Sequence, residues 1–138
     1  MSPRVMTLPL LAVLATAAVA AVRAPALPVP QQANVTSACT PGAQAQVTPA
    51  TIAMKRTDNV VWGSVSPNAV SWTIAPKDTL DWPWTQSTFT GTPEAVATTP
   101  EPLASAKVNH PYRYKVTVAC EDGTTQVIDP DVIIGGSQ

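Results

Sequence analysis

Between Tyr112 and Cys120 the sequence YRYKVTVAC alternates without interruption: Tyr112, Tyr114, Val116, Val118 and Cys120 share one parity, while Arg113, Lys115 and Thr117 share the other. Successive side chains of a strand point to opposite faces, so this stretch lays one apolar face on a core and leaves the other wet. Shorter segments repeat the pattern: Ile52 with Met54, Val60 with Trp62, and Val70 with Trp72 and Ile74. Fifteen prolines in 138 residues work against helices, since an internal proline removes a hydrogen bond and clashes with the preceding turn. No stretch outside the N-terminus carries a helical apolar stripe. The expected class is therefore all-β. A half-apolar sheet needs a cover, and with no helix to provide one the economical solution is a small antiparallel two-sheet sandwich of about six or seven short strands.

Turn residues set the expected connections. Ser66-Pro67-Asn68 lies between VVWGSV and AVSWTI, with proline where its fixed φ suits a type I turn. Glu121-Asp122-Gly123 lies between YRYKVTVAC and TTQVID, with glycine available for positive φ. Both read as antiparallel hairpins. Residues 76–107 contain Pro76, Pro83, Pro93, Pro100 and Pro102. They read as a long surface connection with at most one short strand around Ser87 to Thr90.

The N-terminus has a different character. Arg4 precedes the uncharged run LPLLAVLATA, and Ala18-Val19-Ala20 forms a small-residue cleavage site, so residues 1–20 read as a secretory signal peptide cut before Ala21. Residues 21–38 read as an extended, proline-rich leader, on the strength of Pro25, Pro28 and Pro30. Residues 39–138 then form the sandwich domain. No later apolar stretch approaches membrane length, so the expectation is a secreted or periplasmic protein with no membrane span after cleavage.

In an oxidising compartment Cys39 and Cys120, the only cysteines, are expected to form a disulfide. Closing so long a loop is worth roughly 4 kcal/mol in the chain-entropy model. Eight basic and nine acidic residues give a net charge of −1, and the basic ones are scattered singly, which gives nucleic acid no electrostatic footprint.

The strand YRYKVTVAC, preceded by a long loop and followed by a turn and a last strand, resembles the closing part of cupredoxin-like sandwiches, where a Y-x-Y-x strand runs up to a cysteine. The resemblance covers residues 46–134 in outline and 112–120 as a motif. It implies a cupredoxin-like fold, with an immunoglobulin-like sandwich as the other arrangement such strands allow. The copper chemistry does not follow. A blue-copper centre needs two imidazoles and a thiolate, and this chain has one histidine. The closing IDPDVIIGGSQ also resembles in style the ends of small exported bacterial proteins.

Catalytic signals are sparse. His110 is the only imidazole, there is no G-x-S-x-G elbow, and no C-x-x-C occurs. His110 reads as a surface residue at a strand entrance. Asp78 with Asp81, Glu121 with Asp122, and Asp129 with Asp131 could in principle serve as acid and base or hold calcium. Turn settings and a kinked sheet edge account for them more simply. The expectation is a protein with no enzymatic activity, no metal and no cofactor. The remaining oddity is aromatic: Trp72, Trp82 and Trp84 with Phe89 crowd one segment, the middle pair flanking Pro83. They form either a platform for a glycan or a partner protein, or a lid closing one end of the sandwich. Asn34-Val35-Thr36 matches a glycosylation acceptor.

Overall fold

The computed structural model describes residues 29–135. These form ten strands: β1 (Pro30–Thr36), β2 (Gln46–Thr48), β3 (Thr51–Met54), β4 (Asn59–Ser64), β5 (Ala69–Pro76), β6 (Phe89–Gly91), β7 (Ala97–Thr98), β8 (Pro111–Cys120), β9 (Thr125–Ile128) and β10 (Asp131–Ile134). One sheet has the order β2-β1-β4-β7. The other has the order β3-β10-β8-β5-β6, with β9 also paired to β8. There is no helix among the described residues, and the chain is an all-β sandwich of two sheets. Most neighbours are antiparallel, while β1 runs parallel to β4 and β10 parallel to β3.

The alternating strand β8 is the axis of the larger sheet. Along one side it pairs with β5 from Tyr114 to Cys120. Along the other it pairs first with β10 and then with β9. Pro130 interrupts that second side, since it has no N–H to give, but its carbonyl accepts the N–H of Tyr114 at 3.2 Å. Tyr112, Tyr114, Val116, Val118, Val132 and Ile134 face inward and meet Ala33, Val35, Val60 and Trp62 of the smaller sheet. Arg113 and Lys115 stay exposed, as their parity requires.

The two sheets are joined along both sides by chain that changes layer. Pro49, joined to Thr48 by a cis peptide bond, and Ala50 separate β2 from β3. On the opposite side, reciprocal hydrogen bonds between Thr92 and Ala95 turn β6 into β7. Gly91 at that corner has no room for a side chain: a Cβ would overlap the Trp72 indole and lie 2.8 Å from the Ala97 nitrogen.

Several expectations are corrected. Residues 30–38, assigned by sequence to the leader, belong to the sandwich: β1 lies between β2 and β4, and Ala33, Val35 and Ala38 are fully buried. Pro30 is the first residue of its strand, where a missing donor is tolerated, and the buried side chains are too small to stand out. The residues before 29, including the expected signal segment 1–20, lie outside the described part.

The Ser66-Pro67-Asn68 turn forms, with Ala69 N–H donating to the Ser66 carbonyl at 3.3 Å. It does not close a hairpin, because β4 and β5 lie in different sheets. Each already has two neighbours, so the turn arches between layers. Val70 points outward, because an irregularity between Ala69 and Ser71 shifts the register and buries Ala69 instead. Residues 76–107 hold β7 as well as β6 and contribute Pro83, Trp84, Phe89, Ala97, Thr99 and Ala106 to the interior.

The hairpin at Glu121-Asp122-Gly123 forms as expected. Gly123 has φ +84°, and the Asp122 carboxylate accepts from the Thr124 N–H at 2.9 Å and from its hydroxyl at 2.6 Å. Those bonds, led by the hydroxyl, hold the Asp122 carboxyl below the usual carboxylate range. The expected disulfide is present: Cys39 and Cys120 are bonded, with Cα atoms 5.5 Å apart. Its N-terminal side is a tight bend in which Ser37 and Cys39 both have positive φ. The bend is fixed by Ala38 N–H donating to the Ser66 hydroxyl at 2.9 Å and by Cys39 N–H donating to the Gln126 side-chain oxygen at 3.2 Å. No helix among the described residues is long and apolar enough to cross a membrane.

Candidate functional site

The segment Asp78–Trp84 leaves the end of β5 and folds back over the sandwich. Its first step is a side-chain-capped turn: Leu80 N–H donates to the Asp78 carboxylate at 2.9 Å and Asp81 N–H to the Asp78 carbonyl at 3.1 Å. Pro83 then restricts Trp82 to extended geometry, and its carbonyl accepts the Leu103 N–H at 2.8 Å. The segment is thus clamped to the next loop.

The three tryptophans marked by the sequence take different places. Trp84 is 3% exposed, and its indole N–H donates to the Pro100 carbonyl at 2.9 Å. Trp82 is half-buried, with its ring 4.9 Å from that of Trp84 at 70° and its N–H on the Gln86 carbonyl at 3.0 Å. These two join Trp62, Phe89 and Tyr114 in one cluster of edge-on and stacked rings. Trp72 stands apart, buried in β5, and donates to the Trp62 carbonyl at 2.9 Å. Trp62 itself donates to the Tyr114 hydroxyl at 3.2 Å. Burial, in spite of that bond, pushes the Tyr114 phenol well above its usual range. The loop tryptophans therefore close the end of the sandwich, and every indole N–H is satisfied inside the protein.

Sequence reasoning missed what borders Trp82. His110 is half-buried, and its Nε2 lies 2.7 Å from one Asp81 oxygen and 3.0 Å from the other. Lys107 approaches the same carboxylate at 3.5 Å. The His110 ring stands edge-on to Tyr112 at 4.8 Å, and the Tyr112 hydroxyl accepts the Lys107 N–H at 2.6 Å. The hydrogen bond from His110 holds the Asp81 carboxyl below the usual carboxylate range. The only signal in the sequence was that the sole imidazole preceded the strongest strand. Asp81 lies far along the chain, in another loop.

What this arrangement can do is limited by its neighbours. Asp81 can orient the imidazole, but the hydrogen bonds of His110 among the described residues go to Asp81 alone. Of the other carboxylates, Asp129 pairs with Lys77 at 3.1 Å. No group of three or more His, Cys, Asp or Glu side chains among the described residues is placed to hold a metal. His110 and Cys120 stand at opposite ends of the ten-residue strand β8, roughly 30 Å apart, too far to share an ion.

Fold and site together define a disulfide-bridged β-sandwich whose aromatic residues are turned inward. Comparisons with protein-family models, with curated proteins and with solved structures find no match to this chain.

Proposed function

We propose that this chain is an exported, non-enzymatic β-sandwich with a structural or envelope-associated role, a cupredoxin-like domain in which the copper chemistry is absent. The observation that carries this reading is the fate of the side chains that chemistry would need. The Cys120 sulfur is bonded to Cys39, His110 is hydrogen-bonded to Asp81, and of the loop tryptophans Trp84 is in the core and Trp82 packs against it. A cystine closing a large loop suits an oxidising compartment.

The experiment is expression of the full chain in a bacterial host, followed by fractionation and intact-mass analysis. Recovery outside the cytoplasm, with residues 1–20 removed and both thiols oxidised, is the expected result. Retention in the cytoplasm with the leader attached, or stoichiometric copper binding by the purified protein, overturns the proposal.

A second reading is a binding module for a glycan or a partner protein, and one observation favours it. Leu80 is 95% exposed and sits in the same clamped segment as half-buried Trp82. Leu80→Ser that leaves stability unchanged but abolishes retention on an immobilised glycan or protein supports that reading.

A further inference from the structure

Away from the aromatic end, a cleft of about 470 Å³ opens where the start of β1 meets β3 and the turn before β4; Gln31, Ala53, Met54, Lys55, Asp58 and Ile133 line it. Asp58 is its unusual wall. The residue is 4% exposed, yet it is absent from the ion pairs of the described residues, which are Lys77–Asp129, Lys107–Asp81 and His110–Asp81. Both hydrogen bonds that its carboxylate accepts go to one oxygen: Gln31 donates to Oδ2 at 3.1 Å and the Lys55 N–H at 3.0 Å.

Among the described residues Oδ1 has no partner. Among those residues no side-chain polar atom is both fully enclosed and unpartnered, so Oδ1 is not sealed from solvent, and Asp58 is part of the cleft wall. A desolvated carboxylate with a free oxygen is matched best by a charged N–H donor. Ala53, Met54 and Ile133 beside it offer an apolar wall. The nearest basic side chains do not supply the charge. Lys55 is exposed and makes no ion pair with Asp58, and the Arg56 guanidinium is held by the carbonyls of Ala104 and Ala106, each at 2.6 Å.

We propose that this cleft binds a small organic cation, a protonated amine on a short aliphatic stem, with the ammonium on Asp58 Oδ1 and the stem against Ala53, Met54 and Ile133. The cleft volume lies in the range of small-molecule sites, and the charge of Asp58 sets the sign of the ligand. This goes beyond the structural role proposed above and can fail without it.

The test is a titration of the folded protein with n-pentylamine at neutral pH, followed by amide chemical shifts, with n-pentanol as the uncharged control. Saturable shifts at Lys55, Asp58 and Asn109 with a Kd on the order of 1 mM are expected. Asp58→Asn keeps an oxygen for Gln31 and Lys55 and should weaken binding by about tenfold or more. Ala53→Leu, on the exposed face of β3, should weaken it by filling the stem site, and it keeps the test usable if the Asp58 variant does not fold. Equal affinity for n-pentanol, unchanged affinity in either folded variant, or no saturable shifts overturns the proposal.

Discussion

Trp84→Ala separates a core tryptophan from a surface platform without knowledge of any ligand. Trp84 is 3% exposed and packs edge-on against Trp62 at 6.2 Å, Phe89 at 5.9 Å and Trp82 at 4.9 Å. Its truncation removes an indole from a closed cluster and leaves a cavity that the clamped loop cannot collapse into freely. Tryptophan-to-alanine changes of this kind cost about 3–5 kcal/mol. The Pro100 carbonyl also loses its donor, although it can recruit water at the rim. Taking ~4 kcal/mol and an unfolding entropy of about 0.2 kcal/mol/K for a domain of this size, the melting temperature should fall by roughly 20 °C. Differential scanning calorimetry measures it, with Trp84→Phe as the intermediate case that keeps a ring and loses the N–H. A fall of less than about 5 °C would refute the assignment of Trp84 to the core and return the loop to candidacy as a binding surface.

Three further outcomes follow from the same structure. Replacing Cys39 and Cys120 together by serine should cost about 4–5 kcal/mol of stability in denaturant melts, given the sequence separation of 81, and native wild-type protein should take up no alkylating label. Asp81 has a depressed pKa in the folded protein, so its contribution is present above the unfolded value of about 3.9 and is lost as pH falls through and below that value. Melting temperature against pH should therefore drop on the acid side, and Asp81→Asn should flatten part of that drop, the remainder belonging to groups such as Asp122. Gly91→Ala should destabilise by more than about 1 kcal/mol, because its Cβ has to displace the Trp72 indole or the backbone at Ala97; a neutral result would mean that the corner is looser than described.

The fold class was legible because β8 writes its environment in its own residues: five inward positions from Tyr112 to Cys120, with Arg113, Lys115 and Thr117 on the other face. The cystine was legible from composition, since two cysteines without metal-binding company have few other uses. β1 was hidden because Ala33 and Val35 are small and the run Pro25, Pro28 and Pro30 resembles a tether, although only Pro30 enters the strand, at its first position. The Ser66–Asn68 turn was read correctly as a reversal, but turn chemistry does not say whether the chain returns within one sheet or crosses to the other. That depends on β1 and β7 having already taken both sides of β4.

The site was less legible still. His110 with Asp81, and Asp58 with Gln31, are contacts between residues far apart in the chain, and no local pattern encodes them. The sequence left the tryptophans open between platform and lid, and nothing short of their burial could decide between them.

The cystine has a mechanical consequence. Cys39 lies in the bend after β1 and Cys120 ends β8, so a pull applied between Val29 and Gly135 meets the bond once β1 at one end and β9 and β10 at the other have been drawn out. Everything from residue 39 to 120 is bypassed. With each residue extending at most about 3.5 Å, tension could draw out roughly 90 Å of chain before reaching the covalent link, where a reduced chain would pay out roughly 370 Å. The cystine thus limits the reach of the domain under load, and reduction would lengthen that reach about fourfold.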